Sequence, residues 1–119
     1  MRVLLVEDNF IIALDLAELV REAGGEPVGP VATVRDGVAA LDQSDIEAAI
    51  LDINLGEESA LGLATVLKER AIPFAFATGY SPDDVIPPEQ ADAPVLAKPY
   101  SAADVRAVLA RLREVKARQ

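Results

Sequence analysis

The stretch Ala48-Ala49-Ile50-Leu51-Asp52-Ile53-Asn54-Leu55 decides how the chain is read. Apolar residues run straight into an aspartate, and Gly56 follows soon after. So short and apolar a run marks a strand buried on both faces. An ionisable side chain at the end of such a strand costs free energy unless it has a partner or a task. Taken alone, Asp52 could equally be a turn or helix-start aspartate, so its neighbours must decide.

Composition narrows the tasks. The chain has 119 residues, which predicts one domain over 1–119 and no second one. Apolar residues make up 51%, enough for a real core, and the net charge of -9 argues against an unaided grip on nucleic acid. There is no cysteine, which excludes disulfides, thiolate metal sites and cysteine nucleophiles. There is no histidine either, which removes the commonest general base and transition-metal ligand. Any metal must therefore be a hard cation held through oxygens. The apolar run before Glu7 is too short for a signal peptide or a membrane span, so a cytoplasmic protein that engages no membrane is expected.

Outward from Asp52, strands and helices alternate. Val3-Leu4-Leu5-Val6 is a buried strand ending at Glu7-Asp8, and Asn9 can cap the helix carrying Ile12, Leu16, Leu19, Val20 and Ala23. Gly24-Gly25 stops that helix. The prolines in Pro27-Val28-Gly29-Pro30-Val31 predict an edge strand. Thr33 can cap a second helix bearing Val34, Val38 and Leu41, which Gly37 should weaken. After the Asp52 strand, Gly56-Glu57-Glu58 reads as a loop, and Leu63, Val66 and Leu67 define a third helix ending near Arg70. Phe74 to Thr78 is a fourth buried strand. The segment Pro82 to Pro94 opens like a helix, but Pro87-Pro88 should break or shorten it. Val95-Leu96-Ala97 is a short fifth strand ending at Lys98-Pro99. Ser101 and Asp104 then open a last helix carrying Val105, Val108, Leu109 and Leu112. Five bases lie along it: Arg106, Arg111, Arg113, Lys116 and Arg118.

Five strands joined by helices predict an α/β fold with a doubly wound, five-stranded parallel sheet. A proline-bearing second strand at an edge favours the order 2-1-3-4-5 of flavodoxin-like sheets. The carboxyl ends of the strands then face one crevice, where ligands bind. Glu7-Asp8, Asp52, Thr78 and Lys98 all stand at such ends. Each has an ordinary surface explanation alone; all of them meeting by accident is the less economical account. Carboxylates about 5 Å apart repel by roughly 3 kcal/mol at an effective dielectric of about 20. A divalent cation relieves this, and an oxygen site that keeps several waters suits Mg2+. Asp8 and Asp52 are the expected direct ligands, with Glu7 acting through water and the Asn54 backbone carbonyl as a further candidate. Asp52 is the candidate phosphoryl acceptor, the Lys98 ammonium balances the added charge, and the Thr78 hydroxyl can donate to it.

Taken together, Glu7-Asp8, Asp52, Thr78 and Lys98-Pro99 resemble the receiver domain of two-component response regulators, over essentially the whole chain. The resemblance implies a CheY-like fold and a phosphoaspartate at Asp52, supplied from the phosphohistidine of a sensor histidine kinase or histidine phosphotransferase. It also implies self-catalysed phosphorylation and dephosphorylation, and a cis peptide before Pro99. Phe76-Ala77-Thr78-Gly79-Tyr80 further resembles the FAT GUY group of single-domain receivers, associated with alphaproteobacterial stress signalling. One position departs: receivers usually carry an aromatic three residues before the lysine, and here Val95 stands there. Thr78, Gly79, Tyr80 and Tyr100 are left as the candidate switch residues, acting on the segment that follows Tyr80.

The expected function is a stand-alone phosphoacceptor switch that binds a downstream protein or relays and drains phosphoryl groups, as a monomer or weak dimer. Asp83, Asp84 and Glu89 with the bases of the last helix are a candidate docking face. A phosphatase of the haloacid dehalogenase type is a rival, but it wants an aspartate where Asn54 stands. A flavodoxin-like cofactor module wants a phosphate loop where Glu7-Asp8-Asn9 would repel one. A receiver-like protein acting only as an interaction surface is the third alternative.

Overall fold

A computed structural model describes residues 1–55, 58–79 and 92–118. Its centre is a parallel sheet of β1 (Arg2–Val6), β2 (Glu26–Val31), β3 (Ala48–Asp52), β4 (Phe74–Thr78) and β5 (Val95–Ala97), in the order β2-β1-β3-β4-β5. The helices among the described residues are α1 (Phe10–Glu22), α2 (Val34–Gln43), α3 (Leu61–Glu69) and α4 (Ala102–Ala117). None of them is long and apolar enough to cross a membrane.

Alternation along the strands divides the core in two. Val3, Leu5 and Ile50 face one way and pack with Leu16 and Val20 of α1 and Val105, Leu109 and Leu112 of α4. Leu4, Val6, Leu51 and Phe76 face the other way and meet Leu41 of α2 with Leu63 and Leu67 of α3. Burial of both faces is why β3 is apolar up to Asp52 rather than alternating. Every residue of β3, Asp52 included, is buried.

Local signals set the boundaries. Asn9 Oδ1 accepts from the N–H groups of Ile11 and Ile12 at 3.1 and 3.2 Å, which starts α1 directly after the acidic pair. Thr33 and Ser101 cap α2 and α4 by accepting from Asp36 and Asp104. Strand β2 is an edge, as its prolines require, and its register against β1 gains a residue between Leu4↔Val28 and Val6↔Val31. Gly29 stands in that irregularity at φ +95, where an added Cβ would lie 2.8 Å from the Val31 nitrogen. The Gly29–Pro30 peptide is cis, which the sequence reading had not foreseen. The bulge delivers the Val31 carbonyl to the Glu7 N–H at 2.9 Å, so the edge strand helps seat the first acid.

Two readings change. The expected loop after Asp52 is partly a hairpin, with Asn54–Leu55 pairing antiparallel to Glu58–Ser59. Gly37 does more than weaken α2. A Cβ there would come within 2.6 Å of Leu63 Cδ2, so the glycine lets α2 and α3 close on each other. The interrupted segment from Pro82 onward falls mostly on residues 80–91, outside the described residues, as do Tyr80, Asp83, Asp84 and Glu89.

A double substitution separates the two roles of Gly37. Gly37→Ala alone should destabilise the chain in urea unfolding by about 1 kcal/mol, because overpacking outweighs the gain in helix propensity. In a Leu63→Ala background the same change should stabilise by up to about 1 kcal/mol. The same loss in both backgrounds would show that Leu63 does not set the requirement.

Candidate functional site

The carboxyl edge of the sheet gathers the ends of β1, β3, β4 and β5. Strand pairing fixes the layout: Val6 lies opposite Leu51, Asp52 opposite Ala77, and Thr78 opposite Ala97. Glu7 and Asp52 are 3% and 6% exposed, unusually deep for carboxylates. Asp8 beside them is exposed. One oxygen from each of Glu7, Asp8 and Asp52 falls within 4.8 Å of the others.

One cation answers these acids. Lys98 Nζ donates to Asp52 Oδ2 at 2.7 Å and lies 3.1 Å from Glu7 Oε2. The second approach is an ion pair to a carboxylate that is itself almost fully buried. Glu7 Oε1 accepts from the Asn9 N–H at 3.0 Å, tying the acid to the first turn of α1. Lys98 is itself held by its backbone N–H, which donates to the Thr78 carbonyl at 3.1 Å, and the peptide to Pro99 is cis, as the receiver resemblance implied.

Electrostatics follow from this crowding. Burial pushes the Glu7 carboxyl up to about 7; Asp52 adds to the rise, while the Asn9 N–H and Lys98 oppose it. Burial works against the charge on Lys98, but Asp52 and then Glu7 outweigh it and raise its pKa. Tyr100, two residues further on, is held above the ordinary phenol range by burial and then by the charges of Glu7 and Asp52.

The arrangement thus brings together Glu7, Asp8, Asp52 and Lys98, with Thr78 buried one position beyond the residue opposite Asp52. Three carboxylates against one ammonium leave an acidic, all-oxygen donor set, which fits a hard divalent cation and not a soft one. Asn54 occupies the hairpin directly after the site. Gly79 is exposed past the end of β4. Val95 is half-buried opposite Phe76.

The sequence reading gave Glu7 a part mainly through water on a metal, and did not foresee its 3.1 Å approach to Lys98. Its lone position before Asp8 carried no signal for that. It also missed the setting of Tyr100, whose hydroxyl is buried with no hydrogen-bond partner among the described residues. The only hint was its closeness to Lys98 in the chain.

This sheet order and acid–lysine edge define a response regulator receiver domain, and the chain belongs to that family. Among solved structures it is similar to SdrG from Sphingomonas melonis Fr1, at 40% identity and a TM-score of 0.83, over 95% of this chain and 96% of that one. A second SdrG structure, of its BeF3-activated conformation, matches at 42% identity and a TM-score of 0.80, covering 93% and 94% of the two chains. The transcriptional regulatory protein PdtaR of Mycobacterium tuberculosis is 30% identical over 98% of this chain. The phyllosphere-induced regulator PhyR of Methylorubrum extorquens is 34% identical over 92% of it. The chain spans 60% of the length of PdtaR and 42% of that of PhyR. No family model matches the sequence.

The raised Glu7 carboxyl has a measurable sign. A carboxyl with its folded pKa above its unfolded value keeps a proton in the folded chain that the unfolded chain has already released. Its stabilising contribution is therefore full below about 4.5 and drains away as pH rises to about 7. Without added metal, Glu7→Gln should flatten that part of the stability profile and leave the variant more stable than the parent at pH 8. An unchanged slope in denaturant titrations would place the proton elsewhere.

Proposed function

We propose that the chain is a phosphoacceptor switch of a two-component phosphorelay, working in the cytoplasm, with Asp52 as the residue modified. The observation that carries this is the Lys98 ammonium set 2.7 Å from Asp52 and 3.1 Å from Glu7, beside a third carboxylate at Asp8. An Asp52 oxygen attacks the phosphorus of a partner's phosphohistidine. The O–P bond forms as the P–N bond breaks, and the electron pair stays with the imidazole nitrogen, which takes a proton from water. The chain has no histidine, so the donor is a second protein, a histidine kinase or a histidine phosphotransferase. Attack of water on the same phosphorus later frees phosphate and restores Asp52.

Asp8, Asp52 and the Asn54 carbonyl, with Glu7 through water, are the groups that would hold Mg2+. When bound, it offsets charge on the phosphoryl oxygens. Lys98 turns from the carboxylates to a phosphoryl oxygen, and the Thr78 hydroxyl donates to another. Movement of Thr78 carries Gly79 and Tyr80 with it, the route by which modification changes the surface offered to a downstream protein. The Phe76-to-Tyr80 motif supports placing this chain with FAT GUY receivers.

The reading is tested by mass. Incubated with Mg2+ and acetyl phosphate, the chain should gain one phosphoryl group. The gain should vanish in Asp52→Asn and fall at least about tenfold when a chelator removes the divalent cation. Modification that persists in Asp52→Asn, or none in the parent chain, would end the proposal.

A further inference from the structure

Three large apolar side chains stand open on α1: Phe10, Ile11 and Leu14 are 66%, 74% and 49% exposed. Scattered exposed apolar residues are ordinary, but a group on one helix marks a contact surface. Further down the same helix Asp15, Glu18 and Glu22 are exposed, against the single base Arg21. The outer face of α1 is thus apolar where it borders the acidic edge and anionic beyond. Helix α4 lies beside α1 over the same side of the sheet, sharing its core, and Arg113 donates to the Ala23 carbonyl at 3.4 Å. Its outer face has the opposite character. Arg106, Arg111 and Arg113 are exposed there, together with Ala103, Ala107 and Ala110. The helix holds four bases against two acids, in a chain whose net charge is -9. Both helices follow the carboxyl ends of parallel strands, at the caps Asn9 and Ser101, and so run the same way.

An occupant of the α1 face must offer small or apolar side chains at one end and cations at the other. The chain carries such a surface itself, on the neighbouring helix. We propose that a second copy of the chain covers this face, with α1 of each copy lying on α4 of the other. A two-fold axis parallel to the helices makes that contact twice and keeps the paired helices running the same way. Phe10, Ile11 and Leu14 then meet the alanines at the start of the other copy's α4, whose small side chains let the helices approach closely. Glu18 and Glu22 meet its arginines. Pairing α1 with α1 is the poorer arrangement: side by side it sets acids on acids, and reversed it sets acids on the apolar end. Helix α1 begins two residues past Asp8, so the pairing also shields one flank of the acidic edge.

Sedimentation of the full chain at concentrations up to about 1 mM, high enough to populate weak pairs, tests this. The parent should show a monomer–dimer equilibrium, and Ile11→Ser should weaken it at least about tenfold. Two charge-reversed variants then ask which helices meet. One carries Glu18→Lys with Glu22→Lys, the other Arg106→Glu with Arg111→Glu; all four positions are exposed, so both should keep the parent's circular dichroism. Each alone should dimerise at least about tenfold more weakly, the first even though its net charge lies nearer zero. Mixed in equal amounts they should recover the parent's affinity, because each reversed α1 then faces a reversed α4 and each native α1 a native one. Dimers that survive both reversals, or a mixture no better than its components, would overturn the arrangement. A parent that stays monomeric throughout would overturn it too, and leave the face to a different protein.

Discussion

Everything at the carboxyl edge of this molecule answers to the crowding of acids around one ammonium. Glu7 and Asp52 are almost fully buried, and Asp8 sits within reach of both. Like charges so placed repel, and burial adds the cost of lost hydration. Lys98 offsets part of this, and the Glu7 carboxyl absorbs more by holding its proton to about 7. The result is a site under electrostatic load, ready to accept a further positive charge. A receiver domain is a scaffold for keeping that load in place.

The scaffold does so by fixing backbones more than side chains. Parallel pairing locks β1, β3, β4 and β5 in register, so their last residues reach one edge. Lys98 is set by its N–H on the Thr78 carbonyl, and Glu7 by its N–H on the Val31 carbonyl and by its contact with the Asn9 N–H. Even the glycine and prolines of β2, which look like defects in a strand, shift the register by the residue that brings Val31 to Glu7. Precision at the acids and at Lys98 thus derives from backbone hydrogen bonds between neighbouring strands.

Much of this was legible in the sequence because it depends on short-range rules. Apolar runs of four or five residues predicted the strands, prolines placed β2 at an edge, and Asn9, Thr33 and Ser101 marked the helix starts. The convergence of Glu7, Asp8, Asp52 and Lys98 followed from the rule that strand ends share a crevice. What escaped depends on contacts between residues distant in the chain. Gly37 looks like a helix weakness until Leu63 of another helix is known to press on it. The hairpin after Asp52 is made of residues with no strand pattern. The buried hydroxyl of Tyr100 belongs to a side chain that composition alone would leave at the surface.

The carboxylate of Asp52 ends the sheet's middle strand, which is covered on both faces and flanked by β1 and β4. Segments of this kind open to solvent only when the whole domain comes apart, whereas edges and loops breathe at far lower free energy. Fraying of β2 or β5 therefore loosens the Val31 and Lys98 contacts at the rim while Asp52 itself stays fixed in its strand. Rigidity at the middle and pliancy at the margins are thus assigned to different strands of one small domain.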